Sequence, residues 1–250
     1  MIYSLLRVKS ITACLALIVG FSVGGVPLLT TAQQYVPPKR GIPKRREGAG
    51  TRGPSDICVQ GQKLLMPLIP VEDFGYIASK TPVFFWYIPT TNAKTAEFKL
   101  LDNADEELHS STITLNRTSG LVSYKLPELA TNKMEFGKNY IWQFSLICDP
   151  NQPSRNPFVE GGVQRVEPDA TLKSALKKAK TSRDRASVYA SAGIWHEAIA
   201  ILAKQRCDRL DDPALKASWE TLLKSGQLEN YVQEPLIQIC GAIGSKIESK

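Results

Sequence analysis

With 250 residues and 43% hydrophobic side chains, the chain is long enough for one large or two small domains with a real core. Its formal charge of +7 is unevenly spread: Arg7 and Lys9 lie near the N-terminus, and residues 33–60 hold Lys39, Arg40, Lys44, Arg45, Arg46 and Arg52 against Glu47 and Asp56. The basicity therefore belongs to an arm and not to the fold, and an exported chain of this kind is not expected to have nucleic acid as a partner.

Residues 1–32 read as a secretory signal peptide. Arg7 and Lys9 supply a basic start, residues 11–29 run without a charge, and Thr30-Thr31-Ala32 offers small side chains for cleavage. An uncleaved N-terminal membrane anchor is the alternative; Gly20, Gly24, Gly25 and Pro27 weaken it by interrupting a continuous helix. No membrane span is expected after cleavage, which places the protein in the periplasm or outside the cell. Residues 33–56 are rich in Pro, Gly and Arg and poor in apolar side chains, so a disordered linker is expected. Lys39, Arg40, Lys44, Arg45 and Arg46 make it a candidate anion-binding arm for a glycan, a lipid headgroup or an acidic protein.

Residues 57–167 carry strand signals. The run Val83-Phe84-Phe85-Trp86-Tyr87-Ile88, between Pro82 and Pro89, is too short for a helix and rich in strand formers, so it is expected to be a central strand covered on both faces. An exposed aromatic platform for a sugar or base is the competing reading. Residues 59–70 predict an edge strand, because Pro67 lacks the N–H a central strand needs. Further strands are expected over 97–101, 109–116, 121–127, 140–148 and 158–166, with a turn at 102–105. About seven short strands with turns roughly every ten residues predict an immunoglobulin-like antiparallel sandwich.

The period changes at residue 168. Leu172, Ala175, Leu176 and Ala179 share one helical face; helices are expected over 170–179, 183–192, 195–206 and 213–224, with a fifth over 228–238 interrupted at Pro235. Gly193 breaks the second from the third, and Pro213 opens the fourth. The fold class is thus α+β: a sandwich over 57–167, a small helical, repeat-like domain over 168–240, and a flexible tail over 241–250.

Four cysteines remain after the leader: Cys58, Cys148, Cys207 and Cys240. Three pairings are open; pairing within each part, Cys58 with Cys148 and Cys207 with Cys240, is favoured, with four buried thiols as the alternative. No Cys-x-x-Cys occurs, which argues against a zinc knuckle or a thioredoxin-like centre.

Signals for catalysis are weak. His109 and His196 have no second ligand at metal spacing, and there is no nucleophile elbow, phosphate loop or His-Glu-x-x-His. The acidic run Asp102, Asp105, Glu106 and Glu107 reads as a solvated turn and not a calcium loop. Arg165 beside Glu167 reads as a surface ion pair. No catalytic residue, metal or cofactor is expected.

Three resemblances add to this reading. The strand 83–88, the Glu97-Phe98-Lys99-Leu100 strand, Leu126-Pro127-Glu128-Leu129 and Gly137-Lys138 followed by Tyr140 and Trp142 resemble fibronectin type III modules. Ala186, Tyr189-Ala190, Gly193, Trp195, Glu197-Ala198-Ile199 and Leu202 resemble a tetratricopeptide helix pair. Arg52-Gly53 with Cys58, Thr81-Pro82, Phe84, Trp86-Tyr87, Pro89, Tyr140, Trp142, Phe144, Cys148-Asp149, Glu160-Gly161, Trp195 and Glu234-Pro235-Leu236 resemble a family of cyanobacterial exported proteins described only as a domain of unknown function. That resemblance implies export and supplies no catalytic residue. The expected function is a non-enzymatic envelope module that binds another protein, with Tyr189, Trp195 and Trp219 as its candidate interaction surface. The alternative is a carbohydrate-binding module for an anionic polysaccharide. A hydrolase is a distant third.

Overall fold

A computed structural model describes residues 34–37, 58–70, 75–115, 119–237 and 239–242. Among these residues, ten strands and six α-helices follow one another in an α+β arrangement. The strands are β1 Val59–Gln60, β2 Met66–Pro67, β3 Gly75–Ile77, β4 Val83–Ile88, β5 Thr90–Thr91, β6 Thr95–Leu101, β7 Glu107–Thr114, β8 Gly120–Lys125, β9 Asn139–Ile147 and β10 Phe158–Arg165. They form a five-stranded sheet in the order β3-β10-β9-β6-β7, a three-stranded sheet in the order β2-β4-β8, and the small pair β1-β5.

The aromatic strand β4 is central in its sheet, and all six of its residues are buried. Its alternation explains how both faces are used. Phe84 and Trp86 turn toward the five-stranded sheet: Phe84 lies 5.2 Å from Phe98, and Trp86 stacks on Phe144 at 4.1 Å and meets Trp142 edge-on at 5.7 Å. Tyr87 points the other way and meets Tyr231 at 5.2 Å. The aromatic-platform reading of this strand is therefore overturned, because burial of every ring leaves none for a ligand. β2 is an edge strand, with Pro67 opposite Trp86.

The five-stranded sheet is amphipathic. β6 and β9 alternate buried and half-buried residues, which sets Phe98, Leu100, Trp142 and Phe144 into the core. One neighbour was not foreseen: β3 pairs parallel with β10, Val163 opposite Gly75. Gly161 sits opposite Trp142, and a side chain there would run into the indole, so the sheet needs a glycine at that point.

The helices are α1 Glu128–Thr131, α2 Ala170–Lys178, α3 Ser182–Ser191, α4 Trp195–Asp208, α5 Pro213–Ser225 and α6 Ile239–Ala242. Asp169 caps α2, Thr181 and Asp184 form a capping box on α3, and Asp212 caps α5 ahead of Pro213. Gly193, at φ +73°, lets α3 end in a Schellman turn, Ile194 N donating to Tyr189 O at 2.9 Å, and the chain re-enters α4 directly.

The expected fifth helix over 228–238 does not form. Glu229–Tyr231 makes one 3-10 turn, and Pro235 diverts the chain beside β8. There Leu121 N donates to Pro235 O at 2.7 Å and Ile237 N to Leu121 O at 3.0 Å. Pro235 cannot donate within a helix, and pairing with β8 satisfies the backbone instead. The described residues lie in one compact unit, and buried residues of the strands and of α3, α4 and α5 belong to one continuous core.

Candidate functional site

Two of the three aromatics expected on an interaction surface lie inside the protein. Trp195, at 0% exposure, donates its Nε1–H to Leu68 O at 2.7 Å and meets the Tyr35 ring edge-on at 5.1 Å. Trp219, at 1%, packs under the Arg206 guanidinium, 5.1 Å from its ring. A Trp whose ring is buried offers no surface to a partner, so both are core residues, Trp195 with its N–H paired and Trp219 with its Nε1 left without a partner. Tyr189 differs: it is half-buried and lines a pocket. The fold therefore separates these three residues. It also buries Trp86 and Trp142, so the chain's four tryptophans grip no ligand at its surface.

The pocket beside Tyr189 has a volume of about 310 Å³ and lies where α3 and α4 meet the approach to β4. Ser79, Thr81, Arg185, Tyr189, His196 and Glu197 contribute to it. Glu197 is the third residue of α4 and is buried. Its Oε1 accepts hydrogen bonds from Ala78 N at 2.8 Å and Ser79 N at 2.7 Å, fastening the helix to the loop after β3, while Oε2 has no partner. Burial pushes this carboxyl up to about 7, against the pull of the two N–H donors toward the ionised form. His196 packs against Phe84, 4.9 Å between rings, and neither ring nitrogen has a partner. Burial pushes it down to about 3, so it is neutral at physiological pH. Gly75 makes room for it: a side-chain carbon there would lie 2.6 Å from the imidazole. The sequence holds a clue to this pair in the run Trp195-His196-Glu197-Ala198-Ile199, where two polar residues interrupt an apolar helix start.

A larger groove, about 790 Å³, opens between α2, α3 and the β3–β10 side of the five-stranded sheet. Val166, Leu172, Ala175, Val188 and Ile194 give it an apolar lining, Tyr76 and Gln164 reach it from the sheet, and Glu167, Asp169 and Asp184 add carboxylates. Sequence reasoning missed this groove, because it exists only once α2 and α3 are laid against the sheet.

The other expected residues are placed as follows. Cys58 is joined to Cys148 and Cys207 to Cys240, the first pair closing a separation of 90 residues and the second 33. Lys39, Arg40, Lys44, Arg45 and Arg46 lie outside the described residues, as does the leader. Arg165 does not pair with Glu167. Its Nη1 donates to Thr131 O and Met134 O, and its guanidinium covers Phe136 at 4.5 Å, while Glu167 meets Lys173 at 3.8 Å. A planar, five-donor side chain satisfies two carbonyls at once, which a single exposed carboxylate cannot match. Asp102 Oδ1 accepts from Ala104 N and Glu106 N and so closes its own turn. His109 Nε2 lies 2.6 Å from the Tyr124 hydroxyl, and burial lowers the His109 value. Among the described residues, no three His, Cys, Asp or Glu side chains come together as a metal site, and no helix is long and apolar enough to cross a membrane.

A search of curated proteins finds no match. Among solved structures, CopC from Methylosinus trichosporium OB3b matches with 10% identity and a TM-score of 0.25, over 38% of this chain and 85% of that one. A family described as Domain of Unknown Function (DUF928) matches residues 47–236, well over half of the sequence, and the chain belongs to that family.

Proposed function

We propose that this protein is an exported, non-enzymatic interaction module that holds a segment of another envelope protein. In this reading an immunoglobulin-like sandwich is the rigid base, and a tetratricopeptide-like hairpin, α3 with α4, is stacked on it together with α2. The observation that carries the proposal is the groove of about 790 Å³, whose lining combines apolar side chains with polar groups along one helix face of α2 and one of α3. Its volume and lining suit a chain segment better than a single ion. Two disulfides support export, since such bonds persist in oxidising compartments.

The test is photo-crosslinking in an intact cell envelope, with a photoreactive residue replacing Val188 in the groove or Ser110 on β7, the opposite edge strand of the same sheet. One defined protein captured from position 188 and not from 110 is expected. The same yield from both positions, or none from 188, sinks the proposal.

A further inference from the structure

The groove between α2 and α3 has a distinct charge pattern. Its lining contains three carboxylates, Glu167, Asp169 and Asp184, and no lysine or arginine. Two of these are held in place by the backbone. Asp169 Oδ1 accepts from Leu172 N at 2.7 Å, and Asp184 both accepts from Thr181 N at 2.9 Å and donates its own N–H to the Thr181 hydroxyl at 3.1 Å. Fixed capping carboxylates cannot swing away from an incoming chain. Each offsets roughly half a positive charge at its helix end, which leaves a residual negative charge facing the groove. Glu167 is drawn on by Lys173 at 3.8 Å, but that lysine is 58% exposed and lies outside the lining. The hydrogen-bonded Asp184 is held below the usual carboxylate range and stays ionised throughout the physiological range. Between the charges, Leu172, Ala175, Val188 and Ile194 supply apolar contact.

Resting on the reading of the chain as an interaction module, we infer that this groove takes an extended segment of a partner protein in which apolar side chains alternate with lysine or arginine, and that it rejects acidic segments. Apolar side chains seat against Leu172 and Val188, while the long basic side chains bury their stems and carry their charged ends to the carboxylates at the rim. A rim charge of this kind acts through selection and association rate more than through raw affinity. An acidic segment would place like charges against three carboxylates, two of them fixed.

The test uses the full chain and three labelled octapeptides, Leu-Lys, Leu-Ser and Leu-Glu repeats, with binding read by fluorescence anisotropy. The charge-removing variant is Glu167→Gln with Asp169→Ser and Asp184→Gln. Serine caps a helix as well as aspartate, and glutamine can keep the reverse bond of the capping box, so the helices are preserved and a thermal melt confirms it. The Leu-Lys peptide is expected to bind at least about tenfold tighter than the Leu-Ser peptide, to lose most of that margin in the triple variant and at high salt, and to lose binding in Val188→Arg. Equal binding of the Lys and Ser peptides, or a margin unchanged in the triple variant, overturns the inference. So does concentration-dependent self-association that Val188→Arg abolishes, which would assign the groove to a second copy. A protein crosslinked from position 188 without any peptide preference removes the charge rule and leaves the interaction module. A clear Leu-Lys preference with nothing captured from 188 does the reverse.

Discussion

Replacing Glu197 by glutamine is expected to leave stability nearly unchanged at pH 4 and to raise it at pH 8. The folded carboxyl is pushed from 4.5 up to about 7. Between those values the native state holds a proton that the unfolded chain has released, so stability falls as pH rises through the window. At about 1.36 kcal/mol per unit, the cost of the buried carboxylate at pH 8 is on the order of 3 kcal/mol. Glutamine keeps an oxygen for Ala78 N and Ser79 N and has no proton to lose. His196 acts with the opposite sign. Its folded value is about 3 against 6.5, so the unfolded chain binds the extra proton and stability is lost as pH falls from 6.5 toward 3. In the natural protein the two slopes cancel between 4.5 and 6.5, whereas the glutamine variant retains only the histidine slope and gains stability steadily across that interval. Urea unfolding of the oxidised protein, followed by tryptophan fluorescence at unit steps from pH 4 to pH 8, separates the cases. Other titrating groups are common to both proteins and drop out of the difference. If the two proteins differ by the same amount at pH 4 and pH 8, the carboxyl does not ionise within a buried site and the reasoning fails.

Trp86→Ala is expected to cost roughly 3–5 kcal/mol, since it removes a fully buried ring stacked on Phe144; an unchanged urea midpoint would refute its place in the core. Gly75→Ala is expected to cost about 1–3 kcal/mol by pressing on His196, and the loss should shrink in a His196→Ala background; a double-mutant cycle in chemical denaturation measures that coupling. Replacing Cys207 and Cys240 by serine opens a 33-residue separation and should cost about 3.7 kcal/mol by chain entropy, against about 4.6 for the 90-residue Cys58–Cys148 link; the ranking is read from thermal melts of the two double-serine variants.

How much of this was legible in the sequence follows from how local each signal is. The strand β4 announces itself through six consecutive strand formers between prolines, and the strands β6, β9 and β10 through period-two patterns and turns. Helices α2 to α5 show in the helical spacing of their apolar residues, with Pro213 opening α5 and Gly193 marking the α3–α4 break, while the caps Asp169 and Thr181 emerge only in the structure. The strand β3 has three residues and finds its partner β10 about ninety positions away, parallel, so no local pattern marks it. Residues 228–238 carry a helical spacing of apolar side chains that loses to a backbone pairing with Leu121, a competitor invisible until β8 stands beside it. Glu197 has the same difficulty. The sequence places a carboxylate in the first turn of a helix, where solvent is the ordinary expectation, and only the fold brings Ala78 and Ser79 to meet it.

The burial of Trp195 also decides which side of the α3–α4 pair is left open. A single helix pair has an apolar inner face that must be covered, and in a solenoid the next repeat covers it. Here the covering comes from elsewhere: Leu68 receives the Trp195 N–H, Tyr35 packs on its ring, and Gly226 after α5 lies so close that a side-chain carbon there would sit 2.8 Å from the indole. The inner face of the α3–α4 pair is thus spent on Leu68, on Tyr35 and on the end of α5. What is left unspent is the side of α3 that carries Ser187, Val188 and Ser191, and α2 leans beside it without closing over it. The free surface of the hairpin is therefore a groove floored by small and aliphatic side chains. Under the proposed function, a partner would be met there by contact along a length of chain, with the rim carboxylates choosing which chain.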